Sequence, residues 1–197
     1  MEKLSKVLWN LDWNSLLPAQ LSESVVEYSS HEQSELFVNN HHSEIFESYN
    51  SSFSAGPMTE ARKSYYDNVC DFFEFKKDNQ TVGLLVCCPL DWSTYYVRSA
   101  SVLPSFQGKN IIQEFFHSIL MDTLKDLGVE RIELDTSPSN LAMIHIMTKM
   151  MFNPSGTTLT DRWGSHIRFT KFLSRSSEDT FLKHFCTGVP YQLKGLK

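Results

Sequence analysis

The stretch Val102-Leu103-Pro104-Ser105-Phe106-Gln107-Gly108-Lys109-Asn110-Ile111-Ile112 decides how this chain reads. A strand-like segment, Thr94 to Leu103, leads into it. One Pro and one Gly turn the chain, and an amphipathic helix leaves it. The first turn of a helix carries N–H groups with no intrahelical acceptor, and a loop entering that turn adds more. Donors gathered at one point in this way favour an anion such as a phosphate. Asn110 has two readings. It can adopt the left-handed backbone that a Gly would adopt. Alternatively it caps the helix, with Gln113 three residues on as in a capping box, and its side chain then occupies the amides of Ile112 or Gln113.

Downstream, Ile111 to Leu127 is the clearest helix. Ile112, Phe115, Phe116, Ile119, Leu120, Leu124 and Leu127 form one stripe, and Gly128 stops it. Arg131 to Asp135 is expected as a short strand. Asn140 to Phe152 is expected as a helix with Met143, Ile144, Met147, Met150 and Met151 on one face. Thr157 to Trp163 and Ser165 to Leu173 suit a closing hairpin. Upstream, Asp71 to Lys77, Thr81 to Pro89 and Thr94 to Leu103 are strand-like and joined by short turns, which suits an antiparallel meander. Thr59 caps a short helix to Tyr66, and Asn50 to Pro57 is a loop. Leu21 to Tyr49 reads as helical. Val7 to Trp13 alternates loosely and reads as an opening strand, ended by Pro18.

Residues 1–173 therefore read as one domain. Residues 174–197 read as an appendage: a Ser/Arg linker, a short helix from Glu178 to Phe185 and a polar tail. The expected class is α/β (α+β), with helices on a mixed, mostly antiparallel sheet.

The chain has 197 residues, 41% of them hydrophobic and 21% charged, enough for a sizeable core. A net charge of −5 with no basic stripe speaks against nucleic acid as the main partner. No apolar run approaches the roughly 20 residues of a membrane span. No secretory leader stands at the N-terminus, so the chain reads as cytoplasmic. Cys70, Cys87, Cys88 and Cys186 form no metal-ligand spacing and read as small buried hydrophobes. His41-His42 sits in a polar stretch with no second ligand pair. No metal site is expected.

Two segments resemble the GNAT acyltransferases. The family's loop pattern is V-x-P-x-x-[Q/R]-x-x-G-x-[G/A], and Val102, Pro104 and Gln107 match it in register. A later family pattern, N-x-x-A-x-x-x-Y-x-K-x-G-F, is matched by Asn140, Lys149 and Phe152, with the Ala one place early at Ala142. The resemblance covers roughly residues 70–173, and the first 70 more loosely. It implies a splay between the fourth and fifth strands, Thr94–Leu103 and Arg131–Asp135. It also implies acetyl-CoA, or another acyl-CoA, as co-substrate, and a small-molecule or peptide amine as acceptor. A homodimer through the closing strands or the tail is a further expectation from the resemblance.

On that resemblance Gln107, Gly108, Lys109, Asn110 and Ile111 offer loop amides to the pyrophosphate. Val102 and Leu103 offer strand amides to the pantetheine arm, and Asn140 contacts the cofactor. Asp135 and Tyr96 are the catalytic candidates, and Arg98 either meets an anionic acceptor or pairs with Glu133 or Asp135. The chain departs from the family pattern in three places. Asn110 replaces the loop Gly. Ile112 replaces the next Gly or Ala and must turn its branched side chain toward the core. Met147 stands where the family's Tyr acid would be, and Met donates no proton. The leading expectation is therefore an N-acyltransferase, most simply an acetyltransferase. The alternatives are a non-catalytic GNAT-like binding module and a structural protein of another α/β fold.

Overall fold

The computed structural model describes residues 2–45, 59–160 and 164–185. Its frame is one eight-stranded sheet in the order β1-β2-β3-β4-β5-β6-β8-β7. The strands are β1 (Ala19–Gln20), β2 (Val25–Ser29), β3 (Asp71–Lys77), β4 (Gln80–Pro89), β5 (Thr94–Val102), β6 (Arg131–Thr136), β7 (Asn153–Thr160) and β8 (Gly164–Phe172). Every neighbouring pair is antiparallel except β5 and β6. The meander β3-β4-β5 lies where the sequence places it. Asp78 and Asn79 make the first turn with positive φ (49° and 63°), a conformation that hairpin turns reserve for such residues.

Helices cover both faces. On one face lie α1 (Leu4–Trp9), α4 (Ile111–Phe115), a π-helical turn (Phe116–Leu120), α5 (Met121–Asp126) and α6 (Leu141–Lys149). The three middle elements run on as one helix over residues 111–126. Ser118 Oγ donates to the Glu114 carbonyl (2.7 Å), a local back-bond at the π-helical turn. Phe115, Phe116, Leu120 and Leu124 from this helix are buried against Phe73, Phe75 and Tyr95 of the sheet. On the other face lie α2 (His31–Ile45) and α3 (Glu60–Val69), packed over Phe72, Leu84, Val86 and Cys88. Both faces of β4 are therefore covered, which its unbroken apolar run requires. α7 (Arg175–Phe185) packs on β8 through Phe172 and Phe181, with ring centroids 5.1 Å apart. Asn153 also donates to Glu178 of α7 (3.0 Å).

Two expectations fail near the N-terminus. Val7 to Trp13 is not a strand: α1 ends at Trp9, and a 3-10 turn follows at Trp13–Ser15. Asn10 takes a left-handed conformation (φ 56°), and its N–H still bonds the Lys6 carbonyl. That turn aims Trp9, Leu11 and Trp13 at the core in succession and so imitates strand alternation. Leu21 to Tyr49 is not one helix. β2 occupies Val25–Ser29 because it pairs with β3, Val26 against Phe75, a tertiary partner that local propensity does not reveal. Thr59 caps α3 as expected, accepting from the Arg62 N–H (3.3 Å). Asn50 to Pro57 and the tail beyond 185 lie outside the described residues.

A buried carboxylate ties these layers together. Asp71 accepts from Ser5 of α1 (3.0 Å), Tyr28 of β2 (2.8 Å) and Tyr95 of β5 (2.7 Å). Burial pushes its carboxyl above the usual range, and these donors only partly oppose that. Tyr95→Phe is expected to cost about 2 kcal/mol, because it leaves a buried carboxyl oxygen short of a donor. The check is a thermal melt, with Tm lowered by roughly 4–8 °C.

Candidate active site

β5 has two neighbours of opposite direction. Its parallel pairing with β6 runs only from Thr94 opposite Arg131 to Val97 opposite Leu134. Beyond that, β5 continues to Val102 with β4 while β6 follows β8. On the β4 side Val86 faces Ser99 and Cys87 faces Val97, so Arg98 is an unpaired bulge residue. A bulge bends its strand and re-aims side chains. It falls where the parallel pairing stops, and the two strands splay apart there as expected. The splay opens into a cleft of about 770 Å³, lined by β5, β6, α6 and the loop after β5.

The loop enters the cleft with free donors. Gly108 (φ 77°) and Asn110 (φ 58°, ψ 20°) both take left-handed backbone conformations. A Cβ at Gly108 would meet nothing within 4 Å, so only its dihedral asks for glycine. The Asn110 side chain makes no capping bond. That settles the two readings of this residue: Asn110 stands in for a glycine, and the amides after it stay open. Among the described residues, the N–H groups of Gly108 through Gln113 donate no hydrogen bond. The first bond of this helix is the Glu114 N–H to the Asn110 carbonyl (2.8 Å). Ile111 is buried, and Ile112 packs against the core, which keeps the branched side chain of Ile112 off the donors.

The opposite wall is polar. Arg168 holds Asp135 in a two-pronged bond, Nε to Oδ1 and Nη2 to Oδ2, both 2.9 Å. The Tyr96 hydroxyl donates to Asp135 Oδ2 (3.3 Å). Burial raises the Asp135 carboxyl, but the Arg168 bonds and charge outweigh it and hold it below its usual value. Burial and the neighbouring carboxylate push the Tyr96 phenol up to about 12. Asp135 is therefore an anion and Tyr96 a proton carrier at neutral pH. Arg168 also reaches Glu133 (3.5 Å), as does Arg131 (3.2 Å).

Of the residues singled out in the sequence, Val102, Gln107, Gly108, Asn110, Ile111, Asn140 and Asp135 line the cleft. Leu103 does not: its N–H bonds the Val82 carbonyl (2.9 Å), and its side chain packs under α2 and α3. Lys109 turns its ammonium over the Phe106 ring (4.6 Å). Gln107 braces the loop, its side chain donating to the Val102 carbonyl (3.2 Å) and its N–H to Pro104 (3.3 Å). Asn140 lines the cleft and caps α6 by accepting from the Met143 N–H (3.0 Å), a bond that does not use its own NH₂. The donor set thus loses Gln107, whose N–H is spent on Pro104, and runs two residues further along the chain than expected, taking in Ile112 and Gln113. Helix counting from Ile111 would have found them. Met147 is buried and lines the floor of the cleft, where it offers no proton. Cys70, Cys87 and Cys88 are free and buried, and His41 pairs with Glu44 (3.0 Å). Cys186 lies outside the described residues. Among the described residues no His/Cys/Asp/Glu group could hold a metal, and no helix is long and apolar enough to cross a membrane.

The Acetyltransferase (GNAT) family model matches residues 37–152. The chain belongs to the GNAT acetyltransferase family. Among solved structures it is similar to a variant of the spermidine N-acetyltransferase from Vibrio cholerae, at 14% identity and a TM-score of 0.59, covering 81% of this chain and 99% of that one. It is also similar to the ribosomal-protein-S18-alanine N-acetyltransferase from Escherichia coli, at 18% identity, TM-score 0.54, and 76% and 94% coverage. A GNAT family acetyltransferase from Elizabethkingia anophelis with acetyl-CoA bound matches at 13% identity, TM-score 0.52, and 77% and 99% coverage. No curated protein sequence matches.

Two variants separate the readings of Asn110. A left-handed role predicts that Asn110→Thr loses about 1–2 kcal/mol, because a branched residue fits that conformation poorly. Asn110→Gly should be near neutral. A capping role would make Thr nearly as good as Asn. Denaturant melts decide. For Asp135 the native value is depressed, so its contribution is complete above the unfolded value and lost as pH falls through the native one. Arg168→Gln removes the depression and should move the acid-unfolding midpoint to higher pH.

Proposed function

We propose that this protein is an acetyl-CoA-dependent N-acetyltransferase that transfers the acyl group directly to an amine. The row of open amides from Gly108 to Gln113, at the head of a long helix and beside the strand splay, carries this reading. Backbone donors at a helix N-terminus suit a pyrophosphate, which needs no cationic side chain there. Acetyl-CoA, when bound, supplies the activated acyl thioester. The splayed edge of β5 past Val97 has lost its strand partner and is free to bond an extended arm lying in the slot. Val102 lines that slot.

Asp135 lines the cleft; Tyr96 does not, and it acts on the site only through its bond to the Asp135 carboxylate. Asp135, held anionic by Arg168, is a weak proton acceptor and suits attraction and orientation of an amine. Tyr96 keeps its proton and serves as a donor. Met147 offers no proton to a departing thiolate, but a thiol with a pKa near 8.5 leaves without full protonation. The expected cost of the missing acid is about 10²-fold or more in rate. The single-domain reading of residues 1–173, the cytoplasmic setting and a homodimer remain proposals from sequence and family.

Acetyl-CoA at about 100 times its Kd should stabilise the fold by about 2.7 kcal/mol, or roughly 5–10 °C in Tm. No shift at saturating acetyl-CoA contradicts the proposal. A shift with no thiol release from any amine pool makes the protein a non-catalytic binder.

A further inference from the structure

Among the described residues Arg98 has no carboxylate partner. As the bulge residue of β5 it projects from the sheet where the splay begins, and it lines the cleft. Its guanidinium lies over the Tyr66 ring (5.1 Å) and donates to the Tyr66 hydroxyl (3.0 Å). His31 stacks on the same ring, 5.3 Å away and 15° from parallel. These contacts, with a further bond to the Cys88 sulfur, hold the guanidinium in place and leave others of its five N–H donors for a ligand. The two acids on β6 do not reach it. Asp135 is held by Arg168, and Glu133 by Arg131 and Arg168. Among the described residues Arg98 forms no ion pair. Lys149 adds a second positive charge to the cleft wall, and the carboxylate there, Asp135, is paired with Arg168 and not with Arg98.

Arg98 and the open amides line the same cleft but lean on helices of opposite faces. Tyr66 belongs to α3, which covers one face of the sheet. The open amides sit at the head of α4, on the other face. The splay joins the two faces, so an acceptor held by Arg98 would approach an acyl group in the slot from the face opposite the amides.

We infer that the acceptor amine carries an anionic group, a carboxylate or a phosphate, which Arg98 binds on the α2–α3 side of the cleft. A planar guanidinium suits both anions through paired N–H bonds. This inference rests on the acetyltransferase reading above.

The test measures thiol release from acetyl-CoA with matched acceptors. One arm holds free amino acids and short peptides, and a second holds phosphoethanolamine. The controls are the amino acid carboxamides, ethanolamine and spermidine. The anionic arms should exceed the controls by about tenfold or more in kcat/KM, and the better of the two identifies the anion. Arg98→Gln should raise the acceptor KM by about 10- to 100-fold while the acetyl-CoA-induced Tm shift stays unchanged. Arg98→Lys should recover part of the loss, and Tyr66→Phe should have a smaller effect. A preference for the neutral or cationic amines overturns the inference, as does an acceptor KM insensitive to Arg98→Gln. If no acceptor reacts although acetyl-CoA raises Tm, the inference fails and the cofactor reading stands. If acetyl-CoA gives no Tm shift, the reading beneath it fails.

Discussion

The central strand of this fold keeps its antiparallel neighbour along its length and its parallel neighbour only at its start. β5 stays with β4 to Val102 but leaves β6 after Val97. The Arg98 bulge bends it at that point. Everything functional in this fold depends on that parting. It opens the slot, frees backbone groups along its edge, and sends β5 into the loop whose amides face the slot. The same bulge puts a guanidinium on the far side. Backbone geometry thus places both candidate binding elements, and side chains refine them.

The rest of the sheet is held firmly enough to keep the parting open. Asp71 links α1, β2 and β5 through three hydroxyl donors, and aromatic packing fills the layer beneath the long helix. Arg168 on β8 fastens β6 from its other side through Asp135 and Glu133. β6 therefore has strong reasons to follow β8 rather than β5. A half-buried pair of this kind costs some desolvation, so its value lies as much in fixing position as in stability.

The central meander and the loop were legible in the sequence because their signals are local. Asp78-Asn79, Pro104 and Gly108 are turn chemistry, and the Ile112-to-Leu127 stripe is periodicity. The N-terminal third was not, since β2 exists through its pairing with β3 and the alternation of Trp9, Leu11 and Trp13 came from a helix end. Asn110 shows the same limit at one residue. Cap and left-handed turn share a sequence, and only the backbone dihedrals (58°, 20°) choose between them. Asp135 and Tyr96 were visible as polar residues near a strand end. Arg168, which sets the charge state of Asp135, lies on a distant strand and had no local signature. Arg98 had two readings until the structure gave both nearby acids to other partners.

The most direct measurement is an amide-resolved NMR titration of the protein with CoA. The account predicts that the largest shifts, and new protection from hydrogen exchange, fall on the N–H groups of Gly108 to Gln113. Shifts that leave those amides unmoved while appearing elsewhere would contradict it.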